Sequence, residues 1–200
     1  LISVSLGLLF TSALSFNTFQ FSGVSILYFV TLYIFILQWI IFIPAYVKQT
    51  EHYFDLTGSM TYITSILLVT FFSLDVDLRD ILISSLIIIW ASRLGLFLSK
   101  RVTSAGEDTR FVHIKPNFYQ FLMTWTIQGL WVLMTAGMAF AALSSTNKLG
   151  LDLFAVVGAL IWLIGFIIEV ISDKQKTNFK NNPLNEGRFI QEGLWSWSRH

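Results

Sequence analysis

The sequence predicts an all-α fold, a polytopic bundle of transmembrane helices. Of its 200 residues, 54% are hydrophobic and only 12% are charged, whereas about a quarter of the residues in soluble domains are charged. Apolar stretches recur at lengths close to the about 20 residues that cross the hydrocarbon core of a bilayer. This composition excludes an ordinary soluble globular protein. The absence of cysteine also excludes a disulfide framework, a thiolate metal site and a cysteine nucleophile.

Six apolar stretches are the predicted spans, all within a single membrane domain over residues 1–200. In chain order they are Leu1–Phe16, Val24–Val47, Met60–Leu74, Ile81–Ser99, Phe118–Leu143 and Leu151–Ile171. The first stretch lacks the basic leader and the cleavage site of a signal peptide, so we interpret it as a span. The third is short, and we expect it to gain turns from the preceding Thr57–Ser59. Because the chain opens without Met and stops at His200, we expect it to be a C-terminally truncated piece of a longer protein.

The distribution of basic residues predicts the orientation of these spans. Ten lysines and arginines fall on one side: Lys48, Lys100, Arg101, Arg110, Lys115, Lys174, Lys176, Lys180, Arg188 and Arg199. The other side has two, Arg79 and Lys148. By the positive-inside rule the first side is cytoplasmic, and in a bacterium the membrane would be the plasma membrane. The long polar segments 48–59, 100–116 and 172–200 all fall on this side, which predicts a cytoplasmic functional face.

A pair of acids beside one span and an arginine inside another are candidates for chemistry. Glu51 and Asp55 stand four residues apart at the mouth of the third span, where acids favour a helix N-terminus or form a pair that hydrogen-bonds a substrate or a ribose. Arg93 lies inside the fourth span. A charge at that depth is costly and usually functional, although an arginine near a helix end can extend to the interface.

The last segment has the densest charge. Glu169 and Asp173 are four residues apart, and Asp173, Lys176 and Lys180 follow helical spacing, so we expect the last span to continue as a polar helix until Asn181–Pro183. The basic residues of this tail can neutralise phosphates or hold anionic lipid. Interleaved acids argue against a simple lipid-binding patch. The sequence contains neither GxGxxG nor GxxxxGK[ST], so a nucleotide would not be held by a Rossmann or P-loop element.

The remaining polar residues give weaker signals. His52 and His113 are isolated and lack the spacing of metal ligands, so no metal site is predicted. Thr126 and Gln128 in the fifth span, and Tyr62 in the third, either line a cavity or hydrogen-bond between helices.

The segment Glu169–His200 resembles the C-terminal NADPH-binding signature of the steroid 5-alpha-reductase-like membrane reductases, most closely their uncharacterised bacterial branch. The resemblance comes from an acid, a basic helix, a turn with Asn and Arg, a Gly-Leu-aromatic run and a closing Arg-His. The stretches GEDTRF (residues 106–111) and FDLTGS (residues 54–59) fit the same branch.

This resemblance implies an NADPH site and a set of contacts to it. The implied cofactor-binding residues are Arg93, Asp108, Arg110, Asp173, Lys180, Arg188, Arg199 and His200. The family's general-acid tyrosine corresponds to Trp90 here, and an indole cannot donate a proton in acid–base catalysis. We therefore expect Glu51, near Gln49, to polarise the substrate carbonyl as the catalytic acid, with partial burial raising its pKa.

The function implied is that of an integral membrane oxidoreductase in lipid metabolism, which reduces the C=C bond of a lipid-soluble enone of steroid or isoprenoid type with NADPH. Expected partners are the lipophilic substrate and membrane lipids, not nucleic acid. Two alternatives stay open. One is an S-adenosylmethionine-dependent membrane methyltransferase of the isoprenylcysteine or phospholipid type, and the other is a non-catalytic membrane scaffold.

Overall fold

The computed structural model describes residues 2–73, 75–105 and 108–197, apart from the side chains of residues 104 and 105. Within these ranges the chain forms six α-helices. They are α1 (Ile2–Leu14), α2 (Ile26–Val47), α3 (Phe54–Phe72), α4 (Leu78–Ala105), α5 (Phe118–Ser144) and α6 (Leu153–Asn181). Two-residue strands, β1 (Gln20–Phe21) and β2 (Val24–Ser25), form an antiparallel hairpin before α2. The predicted all-α bundle is confirmed.

Five of these helices, α2 to α6, are long and apolar enough to cross a bilayer, so the protein is an integral membrane protein. The predicted first span forms α1, but this helix has 13 residues, fewer than the about 20 that a span needs. The third helix begins at Phe54 rather than Met60 and reaches 19 residues. The expected turns from Thr57–Ser59 are therefore part of α3.

Polar caps fix where three of these helices begin. The Ser25 hydroxyl accepts from the Leu27 N–H at the start of α2, and the Asn117 side chain accepts from the Gln120 N–H at the start of α5. Asp152 does the same for the Ala155 N–H at the start of α6. Each cap satisfies a backbone N–H that the first helical turn leaves without a partner.

The chain divides into two compact units, Leu1–Gly150 and Leu151–His200. The first contains α1 to α5, and its apolar core includes Val30 and Ile34 of α2, Ile66 of α3 and Phe140 of α5. Helices approach closely where a glycine removes a side chain. A Cβ added at Gly137 of α5, for example, would collide with the Phe10 ring of α1.

One end of the first unit is held by polar contacts around Lys148, which follows α5. The Lys148 ammonium lies 2.6 Å from Asp80 Oδ2 in the first turn of α4 and donates to the Leu143 carbonyl oxygen at 2.9 Å. The Gly150 N–H donates to Asp77 Oδ2 at 3.0 Å. These contacts join the α3–α4 connection to the end of α5.

The second unit consists of α6 and the tail that follows it. As predicted, the helix continues past its apolar part and ends at Asn181, with Asn182 as its C-cap. Two short 3-10 helices, Pro183–Asn185 and Gly193–Ser196, follow. The tail then folds back along the helix, because the Trp195 indole N–H donates to the Ser172 carbonyl oxygen at 2.9 Å.

Candidate functional site

At the end of the first unit opposite Lys148, the α2–α3 and α4–α5 connections meet at Glu51. Glu51 Oε1 accepts from the Asp108 N–H at 2.7 Å, and Glu51 Oε2 lies 2.6 Å from the Lys115 ammonium. Glu51 is 3% exposed and Lys115 is 8% exposed. These two polar connections therefore lie at the same end of the first unit, and their cytoplasmic orientation stays a prediction.

The expected raised pKa of Glu51 is wrong. Burial does raise the pKa, but hydrogen bonds from the Lys115 ammonium and the Asp108 N–H stabilise the carboxylate and bring the pKa below its ordinary value. The sequence suggested the burial but not the cation opposite it, because Lys115 is 64 residues away in the chain. An ionised carboxylate has no proton to donate, so this geometry does not support Glu51 as the general acid.

Asp108 and Arg110, both predicted to contact the cofactor, bind each other. Asp108 caps the 3-10 helix Thr109–Phe111 by accepting from the Arg110 N–H, and the Arg110 guanidinium donates to both carboxylate oxygens at 2.5–3.0 Å. The Arg110 side chain lowers the pKa of Asp108. Asp108 is thus held as an acceptor, while the Arg110 side chain remains 66% exposed.

Arg93 and Trp90 lie deeper in α4. The Arg93 guanidinium stacks over the Phe97 ring at 5.1 Å, and Arg93 lies twelve residues before the end of α4 at Ala105, or about 18 Å along the axis. The Trp90 ring packs edge-on against the Tyr62 ring at 5.1 Å. The Tyr62 hydroxyl is 2.5 Å from the Thr135 hydroxyl, so this aromatic pair links α3, α4 and α5.

The second unit contains a polar cleft of about 340 Å³ between α6 and its tail. Its lining residues are Gln175, Asn178, Phe179, Asn182, Asn185, Ile190, Glu192 and Gly193. Those on or beside α6 follow i, i+3, i+4 and i+7 spacing, which places them on one face of the helix. These amides were not among the predicted site residues, because Asn182 lies in the segment Asn181–Pro183, which was expected only to end the helix. Their helical spacing is the feature of the sequence that could have identified them.

Three contacts hold the tail against α6 and shape this cleft. The Leu194 N–H donates to Gln175 Oε1 at 3.0 Å, and Asn185 Nδ2 donates to the Phe179 carbonyl oxygen at 3.0 Å. The Lys176 ammonium lies 4.7 Å from the centre of the Trp195 ring. Together with the Trp195 hydrogen bond, they fix the far wall of the cleft.

The predicted cofactor residues of this unit flank the cleft rather than line it. Asp173 is half-buried on α6, and Lys180 is exposed seven residues, or about two turns, further along the same helix. Arg188 is exposed on the tail. Within the described part of the chain, the Lys180 and Arg188 side chains make no ion pair or hydrogen bond. Arg199 and His200 lie outside the described residues.

The family model described as "Protein of unknown function (DUF1295)" matches residues 38–200. No curated protein and no solved structure matches the chain significantly. The matched range contains the Glu51 connection, all of α3 to α6 and the polar cleft. Since it covers well over half of the chain, the protein belongs to the DUF1295 family.

Proposed function

We propose that this integral membrane protein is an NADPH-dependent reductase, which reduces the C=C bond of a lipid-soluble enone. The observation that carries the proposal is the amide-lined cleft of the second unit. Two exposed cations, Lys180 and Arg188, flank this cleft, and neither has an ion-pair partner among the described residues. The resemblance of Glu169–His200 to an NADPH-binding signature supports it from the sequence.

The residues of the cleft fit part of such a cofactor. Amide side chains both donate and accept hydrogen bonds, as a nucleotide base and ribose require, and Gln175, Asn178 and Asn182 provide three of them. Arg188 and Lys180 would bind the phosphates, with a guanidinium suited to a bidentate contact. A volume of about 340 Å³ is at the lower end of the about 300–1,000 Å³ of ligand pockets. The cleft would therefore hold one half of the dinucleotide.

When bound, NADPH would supply a hydride for one carbon of a C=C bond conjugated to a carbonyl group, and the other carbon would take a proton from solvent. The residues of the first unit then have positioning roles. The Glu51–Lys115 pair fixes the α2–α3 and α4–α5 connections to each other, and the Arg110 side chain stays accessible for an anionic group. Glu51 is not assigned the proton transfer, because its carboxylate is held ionised.

Ligand binding to the full-length protein in lipid nanodiscs tests this proposal. NADPH, NADH and S-adenosylmethionine are titrated separately, and then NADPH oxidation is followed with an apolar enone. We expect NADPH to bind most tightly and its absorbance to fall only when the enone is present. Binding of S-adenosylmethionine without NADPH would instead identify a methyltransferase, and binding of neither would identify a scaffold.

A further inference from the structure

Several buried side-chain atoms of the first unit have no hydrogen-bond partner within the described part of the chain. They include Gln38 Oε1, Ser65 Oγ, Trp125 Nε1 and Gln128 Oε1. Gln38, Ser65 and Trp125 are each 0% exposed. A buried polar atom without a partner destabilises the folded state, so native proteins contain few of them. The hydrocarbon core of a bilayer offers no water in compensation.

Three of these atoms lie in one layer between α2, α3 and α5. Gln38 Nε2 donates to the Thr61 hydroxyl at 2.9 Å, and Gln128 Nε2 donates to the Phe54 carbonyl oxygen at 3.0 Å. The Phe54 ring packs on the Trp125 ring at 5.3 Å. Gln38, Trp125 and Gln128 are each about 10–15 Å, by helical rise, from the helix end nearest Glu51. We call these three residues the amide layer.

Glycines on the neighbouring helices fix the two amides of this layer. A Cβ added at Gly58 of α3 would lie 2.7 Å from Gln128 Nε2, and one added at Gly129 of α5 would lie 3.2 Å from Gln38 Cγ. The helix backbones therefore approach the glutamine side chains closely and hold them in place. Each amide nitrogen faces an acceptor, because the Thr61 hydroxyl donates its proton to the Thr57 carbonyl oxygen and Phe54 presents a carbonyl oxygen. The orientation of both amides is therefore fixed, and the unpartnered atom is the oxygen in each.

The surroundings of the amide layer are apolar. Phe42 packs against Trp125 with its ring centre 6.5 Å away, and Phe121 does so at 6.1 Å. A molecule that satisfies this layer must present a single oxygen-bearing group on an otherwise apolar body. A carbonyl oxygen would accept from the Trp125 N–H and from the second N–H of an amide nitrogen, and a hydroxyl would also donate to one of the amide oxygens.

We propose that the amide layer binds the carbonyl or hydroxyl end of an apolar molecule that enters from the bilayer. The inference rests on the proposed function in one respect, because such a molecule would be the enone that the protein reduces. It adds the residues that recognise the oxygen of that substrate, which lie within the membrane-spanning helices rather than in the connections at their ends.

The test compares two radiolabelled probes that differ by one oxygen, cholest-4-en-3-one and cholest-4-ene, on the full-length protein in phosphatidylcholine nanodiscs. We expect the unmodified protein to bind the ketone about tenfold more tightly than the hydrocarbon, the scale of one or two neutral hydrogen bonds. Trp125→Phe removes the indole N–H together with part of the ring. We expect this substitution to reduce the preference for the ketone by a factor of about three or more. Gln38→Leu/Gln128→Leu should reduce it by a similar factor, because the indole N–H remains. Trp131→Phe, at a position that is 66% exposed, is the matched control and should leave it unchanged.

Each outcome decides the matter. Equal binding of the two probes by the unmodified protein would mean that the layer holds internal water only, and it would overturn the inference. A ketone preference that survives both sets of substitutions would overturn it as well. Thermal unfolding of each variant identifies a folding defect, and Trp125→Phe keeps the test valid if the glutamine double variant does not fold. A ketone preference that depends on the layer in a protein that neither binds nor oxidises NADPH would retain this inference and reject the proposed reductase.

Discussion

The Lys115 ammonium lies 2.6 Å from Glu51 Oε2, with the two side chains only 11% and 2% exposed. Both residues precede a long helix, since Glu51 comes before α3 and Lys115 before α5. A charge pair at this depth is poorly screened by water and salt. It therefore fixes the relative positions of two connections that are far apart in the sequence.

We expect Glu51→Gln to lower the free energy of unfolding by about 3 kcal/mol, because removing one partner leaves the buried Lys115 ammonium without its compensating carboxylate. Chemical denaturation of the detergent-solubilised protein measures the change. The matched control is Asp55→Asn, since Asp55 lies 4.0 Å from an Arg101 side chain that is 48% exposed and should contribute less than about 1 kcal/mol. Equal effects of the two substitutions would contradict the structural role of the Glu51–Lys115 pair.

The change of the free energy of unfolding with pH should also depend on the Glu51–Lys115 pair. The pKa of Glu51 is lowered in the folded protein from an ordinary value of 4.5, so the unfolded chain binds more protons at acid pH. Its contribution to stability is fully present above about pH 4.5 and is lost as the pH falls through the folded pKa. We expect Glu51→Gln to make this acid-induced loss shallower in denaturation curves recorded between neutral and acid pH. An unchanged slope of stability against pH in Glu51→Gln would contradict this contribution of Glu51.

Arg188→Ala and Lys180→Ala test the proposed phosphate contacts. We expect each to weaken NADPH binding by about 1.5–3 kcal/mol, the scale of a hydrogen bond to a charged group. The loss for NADH should be smaller if the contact is to the 2′-phosphate. Isothermal titration measures both, with Lys174→Ala, also exposed on α6, as the control. Unchanged NADPH affinity in the double variant would reject the assignment.

Gly193→Ala should release the tail from α6. Gly193 has a φ of +59°, which disfavours other residues, and a Cβ there would collide with the Gln175 amide. We expect hydrogen exchange at the Leu194 N–H, which donates to Gln175, to accelerate about tenfold on loss of that bond. Gly187→Ala is the control, because its φ is +73° but a Cβ there meets nothing within 4 Å. Equal exchange in both variants would show that the collision has no effect.

Cysteine labelling tests the predicted orientation, and the chain has no cysteine of its own. We expect His113→Cys and Asn181→Cys to react with an impermeant maleimide from the cytoplasmic side, because their segments contain the excess of basic residues. Asn147→Cys should react only from the opposite side. Labelling of the first two positions from different sides would overturn the arrangement.

The sequence was sufficient to predict the helices, because long apolar stretches between polar connections have few other solutions in a bilayer. It was less informative about helix ends. The first turns of α3, which begins at Phe54, contain polar residues, and a prediction from hydropathy therefore assigns them to the connection before the helix. The environment of Glu51 could not be predicted either, since its pKa depends on Lys115 and the backbone of Asp108, which only the folded connections bring together. The amide face of α6 followed helical spacing, but the shape of the cleft depends on where the tail returns.

The two lysines that flank α5 have a consequence for the order of assembly. Lys115, before this helix, reaches back 64 residues to Glu51, and Lys148, after it, reaches back 68 residues to Asp80. Asp80 cannot meet its lysine until α5 has been synthesised, whereas Glu51 can meet Lys115 once the α4–α5 connection has emerged. The two ends of the first unit can therefore close in sequence, the Glu51 end before α5 is inserted and the Asp80 end only afterwards. An intermediate that lacks α5 keeps Asp80 without the Lys148 ammonium.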